Sequence, residues 1–87
     1  MIDKMKVEKA VKELLIALGE DINREGLIET PKRVANMYEE VLSGTTRDPR
    51  EYLKFFNEEN SEDTILIKDI PLYSICEHHM LPFFGKA

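Results

Sequence analysis

An α+β fold, with helices first and strands after, is what this sequence predicts, and three observations carry the prediction. Apolar residues at helical spacing fill the chain as far as residue 56. After a polar, acidic stretch at residues 57–63 the composition turns to the β-branched run Thr64-Ile65-Leu66-Ile67. A tight turn at residues 76–82 then leads into Phe83-Phe84-Gly85-Lys86-Ala87, which reads as the opening of a second strand. Helices followed by a sheet is the α+β order. It divides the chain into a helical region, residues 1–63, and the first strands of a sheet, residues 64–87.

The first helix rests on Val7, Ala10, Val11, Leu14, Leu15 and Leu18, which recur at helical spacing opposite Lys6, Glu8, Lys9, Lys12 and Glu13. Gly19 stands where a left-handed cap ends such a helix. The polar stretch that follows, residues 20–29, reads as a connector. The second helix has the clearest boundaries: Thr30 as N-cap, Pro31 in the first helical position and Gly44 just past the end. Val34, Met37, Tyr38, Val41 and Leu42 form its expected buried face. A third, short helix starts at Asp48-Pro49-Arg50-Glu51, which has capping-box spacing, and carries Tyr52, Leu53, Phe55 and Phe56. Residues 64–76 suggest a strand bent near Pro71, which cannot donate to a ladder. The second strand pairs back across the turn. A two-stranded ribbon is marginal and leaves open edges, so completion of the sheet by further chain is expected.

Composition narrows the function classes. Eighty-seven residues suit one small domain or part of a larger one, and a chain of this size buries only about 60–65% of its unfolded surface. Hydrophobic content of 43% and charged content of 33% mark a globular chain. The net charge of −5 argues against a nucleic-acid binder, and an anionic ligand would need a local basic pocket. One cysteine excludes an intrachain disulfide. The N-terminus has lysines throughout and lacks a signal peptide's apolar core. No run approaches the ~18 apolar residues of a membrane span. A cytoplasmic location is expected.

The only cysteine and both histidines fall within four positions, Cys76-Glu77-His78-His79. Thiolate and imidazole are both good zinc ligands, and C-x-x-H on a turn lets both meet one ion. Adjacent side chains in extended or turn structure point apart. His79 is therefore expected to ligate, with His78 free to act as acid or base beside the metal. An open zinc site still wants a third protein ligand: Glu77, Asp69 or a group outside the chain. On spacing alone, a turn that binds no metal remains the competing reading.

Residue identity adds a family. The string Cys76-Glu77-His78-His79-Met80-Leu81-Pro82-Phe83, followed by Gly85-Lys86-Ala87, closely resembles the zinc-site signature of GTP cyclohydrolase I. Upstream, Arg24-Glu25-Gly26-Leu27, then Glu29-Thr30-Pro31-Lys32-Arg33-Val34-Ala35 and Met37-Tyr38, resemble that family's N-terminal region. The resemblance runs from about Gly19 to Ala87, and the first helix fits it.

The resemblance implies Zn2+ held by Cys76, His79 and a second cysteine that lies downstream in the family. It implies His78 as the catalytic histidine, and Arg33 as a residue that reaches the triphosphate bound at a neighbouring subunit. The residues beside Arg33 agree: Lys32 and Arg33 stand in a first helical turn, where a bound anion would offset an unfavourable dipole interaction. Lys32 reads equally as a solvated residue beside Glu29. This chain has Asn36 where some family members carry a second basic residue, so that contact is not carried over.

The implied reaction is hydrolytic opening of the guanine ring of GTP at C8. Formate leaves, and the sugar carbons rearrange to give 7,8-dihydroneopterin triphosphate, the first step of folate or pterin biosynthesis. The implied fold is the tunnelling fold, in a toroidal homodecamer. The glutamate that holds guanine and several basic residues that hold the triphosphate belong to the family's other half. The 87 residues alone are therefore expected to be inactive. Another class of function, a non-catalytic zinc-binding or subunit-interaction fragment, is the alternative, and a related tunnelling-fold enzyme is a weaker third.

Overall fold

The computed structural model describes residues 2–54 and 64–87. The chain forms two compact units, Met1–Thr46 and Arg47–Ala87. The boundary expected between residues 63 and 64 adjoins residues outside those described.

In the first unit, helix α1 (Lys4–Ala17) packs on helix α2 (Thr30–Val41). The Asp3 carboxylate accepts from the Lys6 amide at 3.1 Å, an N-cap the sequence pattern had not singled out. At the other end Gly19 has φ +85. The Glu20 amide donates to the Leu15 carbonyl and the Gly19 amide to the Ile16 carbonyl, each at 3.0 Å. These two bonds form the Schellman arrangement, and the left-handed glycine makes it free of a Cβ clash. Only part of the predicted apolar stripe is covered: Val7, Val11 and Leu15 are half-buried, whereas Ala10, Leu14 and Leu18 are exposed. One packed neighbour shields a narrower arc than the full stripe spans.

Residues 20–29 form successive turns: the Ile28 amide donates to the Arg24 carbonyl at 3.0 Å and the Thr30 amide to the Leu27 carbonyl at 3.0 Å. This corrects the expected cap of α2. The N-cap is Glu29, already in right-handed helical conformation (φ −94, ψ −5), with no side-chain capping bond. Because turns run directly into the helix, Thr30 is its first residue, and its hydroxyl donates back to the Gly26 carbonyl at 3.4 Å. Pro31 and Ala35 are the buried residues of α2. Val34, Met37, Tyr38 and Val41 are half-buried and Leu42 is exposed. A surface ion pair from Lys4 Nζ to Glu39 Oε2 at 2.9 Å, with a bond to Asn36 Oδ1 at 3.2 Å, ties α1 to α2.

The second unit opens with one turn of 3-10 helix, Pro49–Tyr52, rather than a longer helix. Asp48 does cap it, but its carboxylate accepts from the Arg50 amide at 2.9 Å and is gripped by the Arg50 guanidinium at 2.8 Å. The side chain is thereby drawn to residue 50 rather than into a box with Glu51. Phe55 and Phe56, and the loop at residues 57–63, lie outside the described residues.

A two-stranded antiparallel sheet follows: β1 (Pro71–Ile75) and β2 (Pro82–Lys86). The register pairs Pro71 with Lys86, Leu72 with Gly85, Tyr73 with Phe84, Ser74 with Phe83 and Ile75 with Pro82. Beyond Pro71, the Ile70 and Ala87 amides and carbonyls exchange both bonds at 3.0 Å. That pair uses the last residue of the sequence, and just before it Asp69 stands at φ +59, outside the extended region. The strand is thus shorter than the β-branched composition from Thr64 suggested, and Pro71 takes its first position, where a missing N–H is tolerated. The order is α+β, as predicted, and the sheet is open: every residue of β2 is exposed, Phe84 at 83%. Among the described residues no helix is long and apolar enough to cross a membrane.

Candidate metal centre

The hairpin register continues one step past Ile75 and Pro82 to Cys76 and Leu81, which close a four-residue turn, Glu77-His78-His79-Met80. The Cys76 amide donates to the Leu81 carbonyl at 2.9 Å, as a ladder pair should. Its reciprocal is replaced. The Cys76 carbonyl accepts instead from the Met80 amide at 3.0 Å, closing one helical turn, and the Leu81 amide donates to Cys76 Sγ at 3.3 Å. Met80 stands at φ +58, which ends that turn and returns the chain to the strand.

Cys76 is half-buried, and backbone N–H groups surround its sulfur. The amide of His79 foremost, then that of Leu81, with smaller help from those of His78 and Met80, holds the thiol below its ordinary range; burial pulls weakly the other way. Partial positive charge on those amides favours the thiolate, the form that binds a metal.

His78 and His79 are exposed in the turn, and among the described residues neither imidazole has a hydrogen-bond partner. An imidazole with no competing partner retains both nitrogens for a ligand or a proton. Glu77 is exposed beside them. Asp69 lies before β1, and neither carboxylate completes a cluster: among the described residues no group of three His, Cys, Asp or Glu side chains is placed to hold a metal. The residues present offer a metal two donor types, a sulfur whose surrounding amides favour the thiolate and an imidazole three positions on, and among the described residues no third donor joins them.

Arg33 belongs to the other unit. It is exposed in the first turn of α2, and its amide donates to the Glu29 carbonyl at 3.0 Å. Among the described residues neither Lys32 nor Arg33 is ion-paired. Asn36, one turn on, accepts from Lys4 rather than facing outward unengaged.

The sequence showed which side chains cluster but not the amides around the sulfur. Every residue carries an N–H, so composition cannot mark the ones that converge. The one available signal was Leu81-Pro82, since a residue before proline is held extended and cannot continue a helical turn.

The family model described as GTP cyclohydrolase I matches residues 7–87. The chain is 59% identical to GTP cyclohydrolase 1 of Acetivibrio thermocellus over 87 residues, covering 100% of this chain and 46% of the relative. It is 60% identical to that of Clostridioides difficile, covering 99% and 46%, and 54% identical to that of Bacillus subtilis, covering 99% and 45%. The chain therefore spans a little under half the length of the curated relatives it matches.

Proposed function

Since the chain belongs to the GTP cyclohydrolase I family, we propose that it takes part in the zinc-dependent, hydrolytic conversion of GTP to 7,8-dihydroneopterin triphosphate and formate. The observation that carries this reading is the amide-lined Cys76 sulfur, with His79 three residues on, inside the stretch that matches the family.

In this reading Cys76 and His79 hold Zn2+ with a third donor from outside the described residues. When bound, the ion supplies a water molecule acidic enough to serve as a nucleophile near neutral pH. His78, which has no hydrogen-bond partner among the described residues, moves protons: a ring nitrogen of guanine has to be protonated as its bond to C8 breaks, and imidazole is a common general acid–base group. Arg33 holds the triphosphate, bound at a neighbouring subunit. Its guanidinium, at the N-terminal turn of α2, presents a planar fork of donors suited to phosphate oxygens. Residues 1–63 are the helical region in this account and residues 64–87 open a tunnelling-fold domain, within a toroidal homodecamer that catalyses an early, cytoplasmic step of folate or pterin synthesis.

A second reading, a zinc-binding or subunit-interaction fragment without turnover, is favoured by the lack of a three-ligand group among the described residues. Two measurements test the site itself. Cobalt substitution should give a thiolate-to-cobalt charge-transfer band that disappears in Cys76→Ser; an unchanged band removes Cys76 from the metal. Formate release from GTP by residues 1–87 with zinc should be absent, and sustained turnover would mean that every essential group lies within these residues.

A further inference from the structure

We infer that Met80 is a positioning residue for the metal thiolate, acting through its backbone: its left-handed conformation turns the Leu81 N–H away from the ladder and onto Cys76 Sγ. This rests on the proposal that Cys76 is a metal ligand.

Three bonds at the end of the hairpin carry the inference. In a regular antiparallel ladder the Cys76 and Leu81 residues would exchange both N–H to carbonyl bonds. Only one is made, from the Cys76 amide to the Leu81 carbonyl at 2.9 Å. The Cys76 carbonyl is occupied by the Met80 amide at 3.0 Å, so the Leu81 amide is released from it and reaches the sulfur at 3.3 Å. That exchange has a known backbone form. A helical turn ended by a left-handed residue places the N–H of that residue on the carbonyl four positions earlier; in the Schellman form the next N–H takes that carbonyl and the left-handed residue bonds the carbonyl three positions earlier. Here the next N–H belongs to Leu81 and finds the side chain of residue 76 instead.

Met80 takes φ +58, a conformation that disfavours residues with a Cβ and suits glycine or asparagine. The residue is 61% exposed, so its side chain contributes little packing. Pro82 reinforces the geometry from the other side, because it keeps Leu81 extended. The methionine at this position therefore matters for where its backbone points rather than for what its side chain touches.

The test compares variants by two readouts in the full chain: hydrogen exchange of the Leu81 amide without metal, and affinity for cobalt alone. Met80→Gly and Met80→Asn, both at ease at positive φ, should stay within about threefold of the parent in each. Met80→Val, whose branched Cβ resists that conformation, should speed Leu81 exchange and weaken cobalt binding by on the order of tenfold. A valine variant matching the parent in both, or a glycine variant failing as valine does, overturns the inference. Should valine abolish the Tyr73–Phe84 pairing altogether, Met80→Ala decides. It bears the same backbone strain as methionine and must remain parent-like; loss in alanine would assign the effect to the thioether and overturn the proposal. No thiolate–cobalt band in the parent, with the Leu81 amide still protected and valine-sensitive, would remove the metal reading alone and leave the positioning role of Met80 standing.

Discussion

Replacing Ala35 with leucine should loosen the helical unit more than any other change of a single small side chain in it. Ala35 is 0% exposed and is the only residue of the hydrophobic core among those described that is fully enclosed. Leucine adds three carbon atoms beyond the Cβ where α2 meets its surroundings with no free surface. Forcing extra methylenes into a packed position costs roughly 1–3 kcal/mol. At about 0.05–0.15 kcal/mol per residue, the Met1–Thr46 unit has only ~2–7 kcal/mol in all. Ala35→Leu therefore removes between about a seventh and all of that stability. With small domains shifting by about 4–8 °C for each kcal/mol, a fall in Tm of roughly 4–24 °C is expected. Far-UV circular dichroism of the helical signal measures it, and Lys32→Ala, on the exposed face, serves as the control within about ±0.5 kcal/mol. A leucine variant melting with the parent would refute the account of how α1 and α2 pack, since only a gap beside Ala35 could absorb the added volume.

Two further outcomes bear on the site. With metal stripped, iodoacetamide should alkylate Cys76 with a pH midpoint below the ordinary thiol value of about 8.5, because backbone amides favour the thiolate in the fold. A folded value depressed below the unfolded one stabilises the hairpin fully above the ordinary thiol range, and that contribution fades as pH falls through the lowered value; a midpoint at or above the ordinary value contradicts the amide-lined geometry. Arg33→Ala in the full-length enzyme should weaken GTP binding while leaving guanosine nearly unaffected, and an equal loss for both would remove the phosphate role from Arg33.

The legible parts of this chain are those in which side-chain chemistry itself determines the backbone. The spacing of Val7, Val11 and Leu15 was enough for α1, and Gly19 for its end, because only a residue without a Cβ sits easily at φ +85. The hairpin could be read from the turn between Ile75 and Pro82. Thr30 misled because a threonine before proline is a good cap only when the preceding backbone is extended, and here turns from Arg24 onward run into the helix. The first strand was drawn too long at its start: β-branched residues at 64–70 favour extension, yet β1 begins at Pro71 and Asp69 stands at φ +59, outside the extended region. At the candidate site, the placement of Cys76 and His79 around one turn was visible as spacing. The exchange of hydrogen bonds that turns the Leu81 amide toward the sulfur was not, since it depends on the conformation of Met80, for which methionine carries no signal.

The division of labour between the neighbouring histidines is the central claim, and zinc content measured beside turnover tests it most directly. In the full-length enzyme His79→Ala should lose zinc. His78→Ala should keep zinc at the parent level while formate release from GTP falls by about 10²–10⁴-fold, the usual contribution of a general acid–base group. Equal loss of zinc in the two variants, or full turnover in His78→Ala, would contradict the assignment.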